Sequence, residues 1–175
     1  MILSLKRTPG IYLVGFMGSG KSTIGRLLAD ELGWRFVDLD HEIERAEGES
    51  VPSLFETRGE EAFRGIEHRV LRRVVRDIEN GHPYVVALGG GAFAQPRNSE
   101  MLANNGVAIW LDCPLDVVES RVARSHHRPL ARDLDAMRRL YRSRREHYSK
   151  ADYRIEVDDR EPGTHVAAIL RLPLF

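Results

Sequence analysis

Cysteine and lysine are scarce in this 175-residue chain, which has one of the first and three of the second. Cys113 has no partner within the chain, so an intrachain disulfide is excluded and a reducing, cytoplasmic location is expected. Lysine is confined to Lys6, Lys21 and Lys150, and arginine supplies the rest of the 26 basic residues. A single arginine therefore carries little information here, whereas each lysine stands out. Net charge is absent as well, because 26 acidic residues offset the basic ones. That balance argues against a general nucleic-acid or anionic-membrane binder, since both functions draw on a basic surface. No apolar run approaches the roughly 18 to 20 residues of a membrane span, and the opening Met-Ile-Leu-Ser-Leu is broken by Lys6, Arg7 and Pro9 before it could serve as a leader. Internal repeats, low-complexity tracts and interdomain linkers are missing too, so residues 1–175 read as a single domain.

What is present is alternation. Ile11 to Val14 reads as a strand ending in a glycine-rich turn, and Ile24, Leu27, Leu28 and Leu32 then fall at helical spacing until Gly33. A strand over 34–39, an acidic helix up to Gly48, and a long helix carrying Phe63, Ile66, Val70, Val74 and Ile78 follow. Beyond these come strands over 84–88, 107–111 and 153–157, with helices near 98–105, 115–124, up to about Ser149, and 164–172. Five short strands alternating with helices predict an α/β fold with a parallel sheet covered on both faces. Such sheets bind ligands at the carboxyl ends of their strands, where the Gly15–Gly20 turn, Asp38, Asp40 and Gly89-Gly90-Gly91 all fall. One pocket built from three loops is expected.

The first loop, Gly15 to Thr23, matches G-x-x-x-x-G-K-[ST] in full and sits between a strand and a helix. Its small residues let backbone N–H groups from Gly18, Ser19, Gly20, Lys21, Ser22 and Thr23 turn onto phosphate oxygens at a helix N-terminus. Lys21 would reach the β- and γ-phosphates of ATP, and the Ser22 hydroxyl would ligate Mg²⁺. A dinucleotide site is excluded, because Thr23 stands where the third glycine is needed. The nearest approach to a guanine signature, Ser149-Lys150-Ala151-Asp152, ends a helix and reads as coincidence.

For the acceptor side, Asp38 and Asp40 are expected on one face of an extended strand end, one near the metal and one to accept a hydroxyl proton. The plainer alternative is an acidic helix start. A metal cage of His41 with Glu44 lacks a second ligand pair. The triple glycine would let a ligand approach the backbone, and Arg58 or Arg64 could fork onto a substrate carboxylate. Residues 121–133, polar and arginine-bearing, are expected to form a lid, with His126 and His127 lining it.

Taken in order, GFMGSGKSTIGRLLA from Gly15, FVDLD from Phe36, FETRGEEAFRGIE from Phe55, ALGGGAF from Ala87, RPL from Arg128 and RREHY from Arg144 resemble the shikimate kinase family over nearly the whole chain. The resemblance implies a nucleoside monophosphate kinase-like, three-layer αβα fold with strand order 2-3-1-4-5, and Mg-ATP-dependent phosphorylation of the shikimate 3-hydroxyl on the route to chorismate. It also implies that Ser22 and Asp38 serve the metal, that Asp40 is the base, and that Lys21 and Arg128 act on the transferring phosphoryl group. Arg64, ahead of Glu67 in F-R-x-x-E, and Arg144 would bind the shikimate carboxylate beside Gly89, Gly90 and Gly91, with the adjacent Arg145 leaving that register open by one. Arg121 would stack on adenine, and Arg160 and Pro162 would border it. Small-metabolite kinases such as those acting on gluconate share the loop, and the D-x-D, F-R and triple-glycine series argues against them. A monomer is expected. In the lid, Ala131 replaces the second leucine of the usual R-P-L-L, which bears on lid packing and not on the reaction.

The neutral total hides a division. Residues 31–67 carry 11 acidic and 4 basic groups, whereas residues 121–150 carry 10 basic and 3 acidic, which sets an acidic acceptor region against a basic lid.

Overall fold

A computed structural model describes residues 10–124 and 133–174. Five strands, β1 (Gly10–Val14), β2 (Arg35–Asp38), β3 (Tyr84–Ala87), β4 (Gly106–Asp112) and β5 (Tyr153–Glu156), form one parallel sheet in the order β2-β3-β1-β4-β5. That is the order the family resemblance implied. Among the described residues, seven helices flank the sheet in αβα layers: α1 (Lys21–Leu32), α2 (Leu39–Glu47), α3 (Val51–Glu79), α4 (Pro96–Ala103), α5 (Leu115–Ala123), α6 (Leu134–Tyr148) and α7 (Pro162–Leu170). None of them is long and apolar enough to cross a membrane.

Every residue of β1 and β3 is buried, which explains why both read as unbroken apolar runs and not as alternation. Helices on both faces leave such strands no solvent side. The core is one cluster that joins strand residues such as Leu13, Val86 and Ile109 to Leu28, Leu71 and Ile169 of the helices.

Two departures from the sequence reading matter for the site. First, β2 stops at Asp38, whose side chain caps α2 by accepting from the His41 N–H, so Asp40 lies in the first helical turn and not on an extended end. Leu39 between them is buried in the core. Second, α3 begins at Val51, well before the periodic run from Phe63, with Ser50 as its cap. The early turns escape periodicity because Gly59 (φ 80°, ψ 170°) breaks the helix, so the two halves do not share one apolar stripe. Phe55 nevertheless stacks on Phe63 across the break, at a centroid distance of 4.3 Å.

Nothing lies within 4 Å of a side chain added at Gly59, so its conformation alone demands glycine. Gly59→Ala is expected to cost about 1–3 kcal/mol, read from the urea midpoint, because only glycine settles readily in that backbone region. A midpoint equal to the parent's would show that the break is not held in the folded protein.

Candidate active site

The phosphate loop leaves mid-sheet β1 and enters α1. Gly18 (φ 75°) and Gly20 (φ 88°) take left-handed conformations that favour glycine. A Cβ at Gly15 would lie 2.7 Å from the Leu111 carbonyl and 2.8 Å from Ser19 Oγ, so the loop is seated directly on β4. Lys21 Nζ donates to the carbonyls of Gly15 (2.8 Å) and Phe16 (2.9 Å), which holds the ammonium across the loop. Thr23 lies exposed in the first turn of α1. Ser22 Oγ donates to Asp38 Oδ2 at 2.5 Å, joining the first turn of α1 to the end of β2.

On the far side of the loop, Arg121 of α5 donates from Nη1 to the Gly18 carbonyl (2.9 Å) and from Nη2 to the Asp158 carbonyl (2.7 Å). Arg160 Nε pairs with Asp158, and Pro162 opens α7 next to them. Arg121 therefore links the phosphate loop to the Asp158–Arg160 segment that leads into α7. Arg128, His126, His127, Ala131 and most of the lid expected over 121–133 lie outside the described residues.

The acceptor side is built where β2 and β3 end. Asp40 presses against the first glycine after β3, since a Cβ at Gly89 would sit 2.6 Å from Asp40 Oδ1. Burial pushes the Asp40 carboxyl above the usual carboxylate range and the Asp38 charge pushes the same way, while Lys21 and Arg64 pull it down. A Cβ at Gly91 would run into the Arg64 guanidinium. A side chain at either of these two glycines would have to displace Asp40 or Arg64.

Arg64 Nη1 donates to both oxygens of Glu67, at 2.9 and 3.1 Å, and its guanidinium lies over the rings of Phe55 and Phe63. Its Nε is buried with no hydrogen-bond partner among the described residues. Glu67 is only 1% exposed, and burial drives its carboxyl upward against the pull of Arg64. Arg58, on the other side of the break, is taken up by Glu47 (2.8 Å) and Glu49 (2.7 Å) at the surface. The Gly59 break thus parts Arg58, a clasp between α2 and α3, from Arg64, which packs behind Gly91.

The two neighbouring arginines on α6 differ in their surroundings. Arg145 is clamped by both Asp112 oxygens, by Tyr141 and by the Trp110 ring 4.8 Å below it. The charge of Arg144 instead acts on Glu67 and Tyr148. Tyr148, one turn on, donates to the Gly90 carbonyl at 2.6 Å. Glu67 and Tyr148 were named in the sequence only as marks of a pattern. The Arg64–Glu67 spacing of three on a helix was the available signal for the first, and nothing in the sequence announced the contact of the second.

The rejected alternatives also find their places. Glu44 accepts from the Val51 N–H (2.9 Å) as a helix cap, and no group of three or more metal-ligating His, Cys, Asp or Glu side chains exists among the described residues. Asp152 of the Ser149–Asp152 tetrapeptide accepts from the Ala108 N–H at 2.8 Å, a purely structural duty at the edge of β4.

A sequence model for shikimate kinase matches residues 17–172. A shikimate kinase of Persephonella marina is 42% identical over 161 residues, spanning 91% of this chain and 96% of that one. Shikimate kinase from Acinetobacter baumannii, solved in complex with shikimate, aligns with a TM-score of 0.86 at 38% identity over 95% of this chain and 93% of its own. A gluconokinase from Sinorhizobium meliloti, at 16% identity and a TM-score of 0.60 over 95% of this chain and 94% of its own, shares the fold alone.

Proposed function

This chain belongs to the shikimate kinase family and is an ATP-dependent kinase, and we propose that it transfers the γ-phosphoryl group of Mg-ATP to the 3-hydroxyl of shikimate, giving shikimate 3-phosphate and ADP. The observation that carries the assignment of the acceptor site is that Gly89 and Gly91 back directly onto Asp40 and Arg64. A would-be base and a carboxylate-reading fork therefore converge on one strip of bare backbone.

On this reading the N–H groups of the Gly18–Thr23 loop and the Lys21 ammonium bind the phosphates. Arg121, Arg160 and Pro162 border adenine, and Arg128 reaches the transferring phosphoryl group. Ser22 Oγ and Asp38, already 2.5 Å apart beside the loop, are hard oxygen donors. They fit Mg²⁺, which keeps water and phosphate oxygens for the remainder of its shell and so needs no cage of protein ligands. Bound there, the ion supplies neutralisation of charge on the phosphates. Asp40 orients the acceptor hydroxyl and takes its proton, a task suited to a carboxyl whose affinity for protons is raised by burial. Arg64, Arg144 and the backbone around Gly90 hold the shikimate carboxylate, with Glu67 fixing the Arg64 fork. Every group this reading needs is supplied by one chain, which supports action as a monomer, and the lone buried cysteine suits the cytoplasm.

The test is ADP release with Mg-ATP and each of shikimate, gluconate, CMP or no acceptor. Release with shikimate alone is the expected result. Release with gluconate alone would transfer the assignment to another small-metabolite kinase, and release with none would leave a nucleotide-binding module without turnover.

A further inference from the structure

We propose that Tyr148 is a positioning residue for the acceptor pocket: its hydroxyl fixes the Gly90–Gly91 peptide unit, and with it the relation of that unit to Arg144, in the orientation that receives the substrate carboxylate. The inference rests on the functional reading above. Tyr148 is 2% exposed and seats its ring against Trp110, 6.2 Å between centroids. So enclosed a ring would be equally content as phenylalanine, and the hydroxyl needs a separate reason. It has one in the 2.6 Å bond to the Gly90 carbonyl.

That carbonyl lies in a run of three glycines. A peptide unit between two residues without Cβ rotates at little steric cost, so it has no fixed direction of its own. In a planar trans unit the C=O and the following N–H point opposite ways. A bond that pins the Gly90 oxygen therefore sets the direction of the Gly91 N–H, at the residue that backs onto the Arg64 guanidinium. The same hydroxyl is within the electrostatic reach of Arg64 and of Arg144, four residues earlier on α6. Tyr148 thus ties the carboxyl end of α6 to the loop after β3. The two arginines, which come from different helices, are referred to one point on the backbone.

Tyr148→Phe removes the hydroxyl and keeps the ring. The dissociation constant for shikimate alone, measured by calorimetry, is expected to rise about tenfold, the loss of one part-buried hydrogen bond. The KM for shikimate should follow it while the KM for ATP holds, a split that mere loosening of the fold would not give. The backbone amide signal of Gly91 in labelled protein should shift or broaden. An unchanged Gly91 amide would overturn the pin, and a changed amide with unchanged shikimate affinity would overturn its role in binding. Failure of the parent protein to bind shikimate would instead bring down the functional reading, with the Gly91 amide still deciding whether the pin exists.

Discussion

Asp40→Asn is expected to lower kcat for shikimate phosphorylation by about 10²- to 10⁴-fold, the range associated with losing a positioned general base. The KM for ATP should be nearly unchanged, because the loop that binds phosphate is held by contacts that do not involve Asp40. In the parent, activity should fall on the acid side along a limb displaced above the ordinary carboxylate range, since the Asp40 proton is held more tightly in the fold than in the unfolded chain. The same displacement fixes the sign of a stability effect. A carboxyl whose pKa is raised by folding stabilises the fold when both states are protonated, and that contribution is lost as pH rises through the folded-state value. At neutral pH the parent therefore bears an unfavourable ionised group, and Asp40→Asn should melt higher than the parent. The gain should vanish at acid pH. Near-normal turnover in the variant would remove Asp40 as the base.

Arg64→Ala should raise the KM for shikimate by about 10- to 100-fold, the range for losing a charge-assisted contact, and it should also destabilise the protein. The two losses have separate causes. Arg64 binds both oxygens of the 1%-exposed Glu67, so its removal leaves a buried carboxylate alone, a defect on the order of 3–5 kcal/mol when one partner of a buried pair is deleted. Pairing Arg64→Ala with Glu67→Gln removes the stranded charge. The double variant should recover much of the melting temperature and none of the shikimate affinity. Recovery of affinity along with stability would show that Arg64 serves the fold alone and reads no carboxylate.

How much of this could be read from the sequence depended on how local each determinant was. The phosphate loop was legible because its glycines, Lys21 and Ser22 lie within nine consecutive residues and the helix begins at their end. Strand order was not legible from spacing and came only through the family likeness. The β3 strand slots between β2 and β1 through pairings across some fifty and seventy residues, such as Val37 with Val86 and Tyr12 with Val86. Asp38 was placed at the end of β2 as found, whereas Asp40 was put on the same extended end, since a period of two assumes a strand that has already given way to α2. Arg64 was preferred to Arg58 through the F-R-x-x-E pattern of the family likeness, and Arg144 against Arg145 stayed open; the break at Gly59 and the carboxylate of Asp112, which set the surroundings of Arg58 and Arg145, belong to the fold. Neither feature leaves a mark at the arginines themselves. The contact of Tyr148 with Gly90 spans 58 positions, and no pattern within α6 points to it.

Arg121 spans two backbone carbonyls with the two arms of one guanidinium, joining the turn at Gly18 to the segment at Asp158. Arg58 does the same between two glutamates, and Arg145 between a carboxylate and a phenol. An ammonium is a compact, rotating charge and cannot reproduce such a flat two-armed brace. Charge and linkage are thus divided between the two kinds of cation. Rewriting this chain with lysine for arginine would keep every formal charge in place and still undo the fastening of its loops.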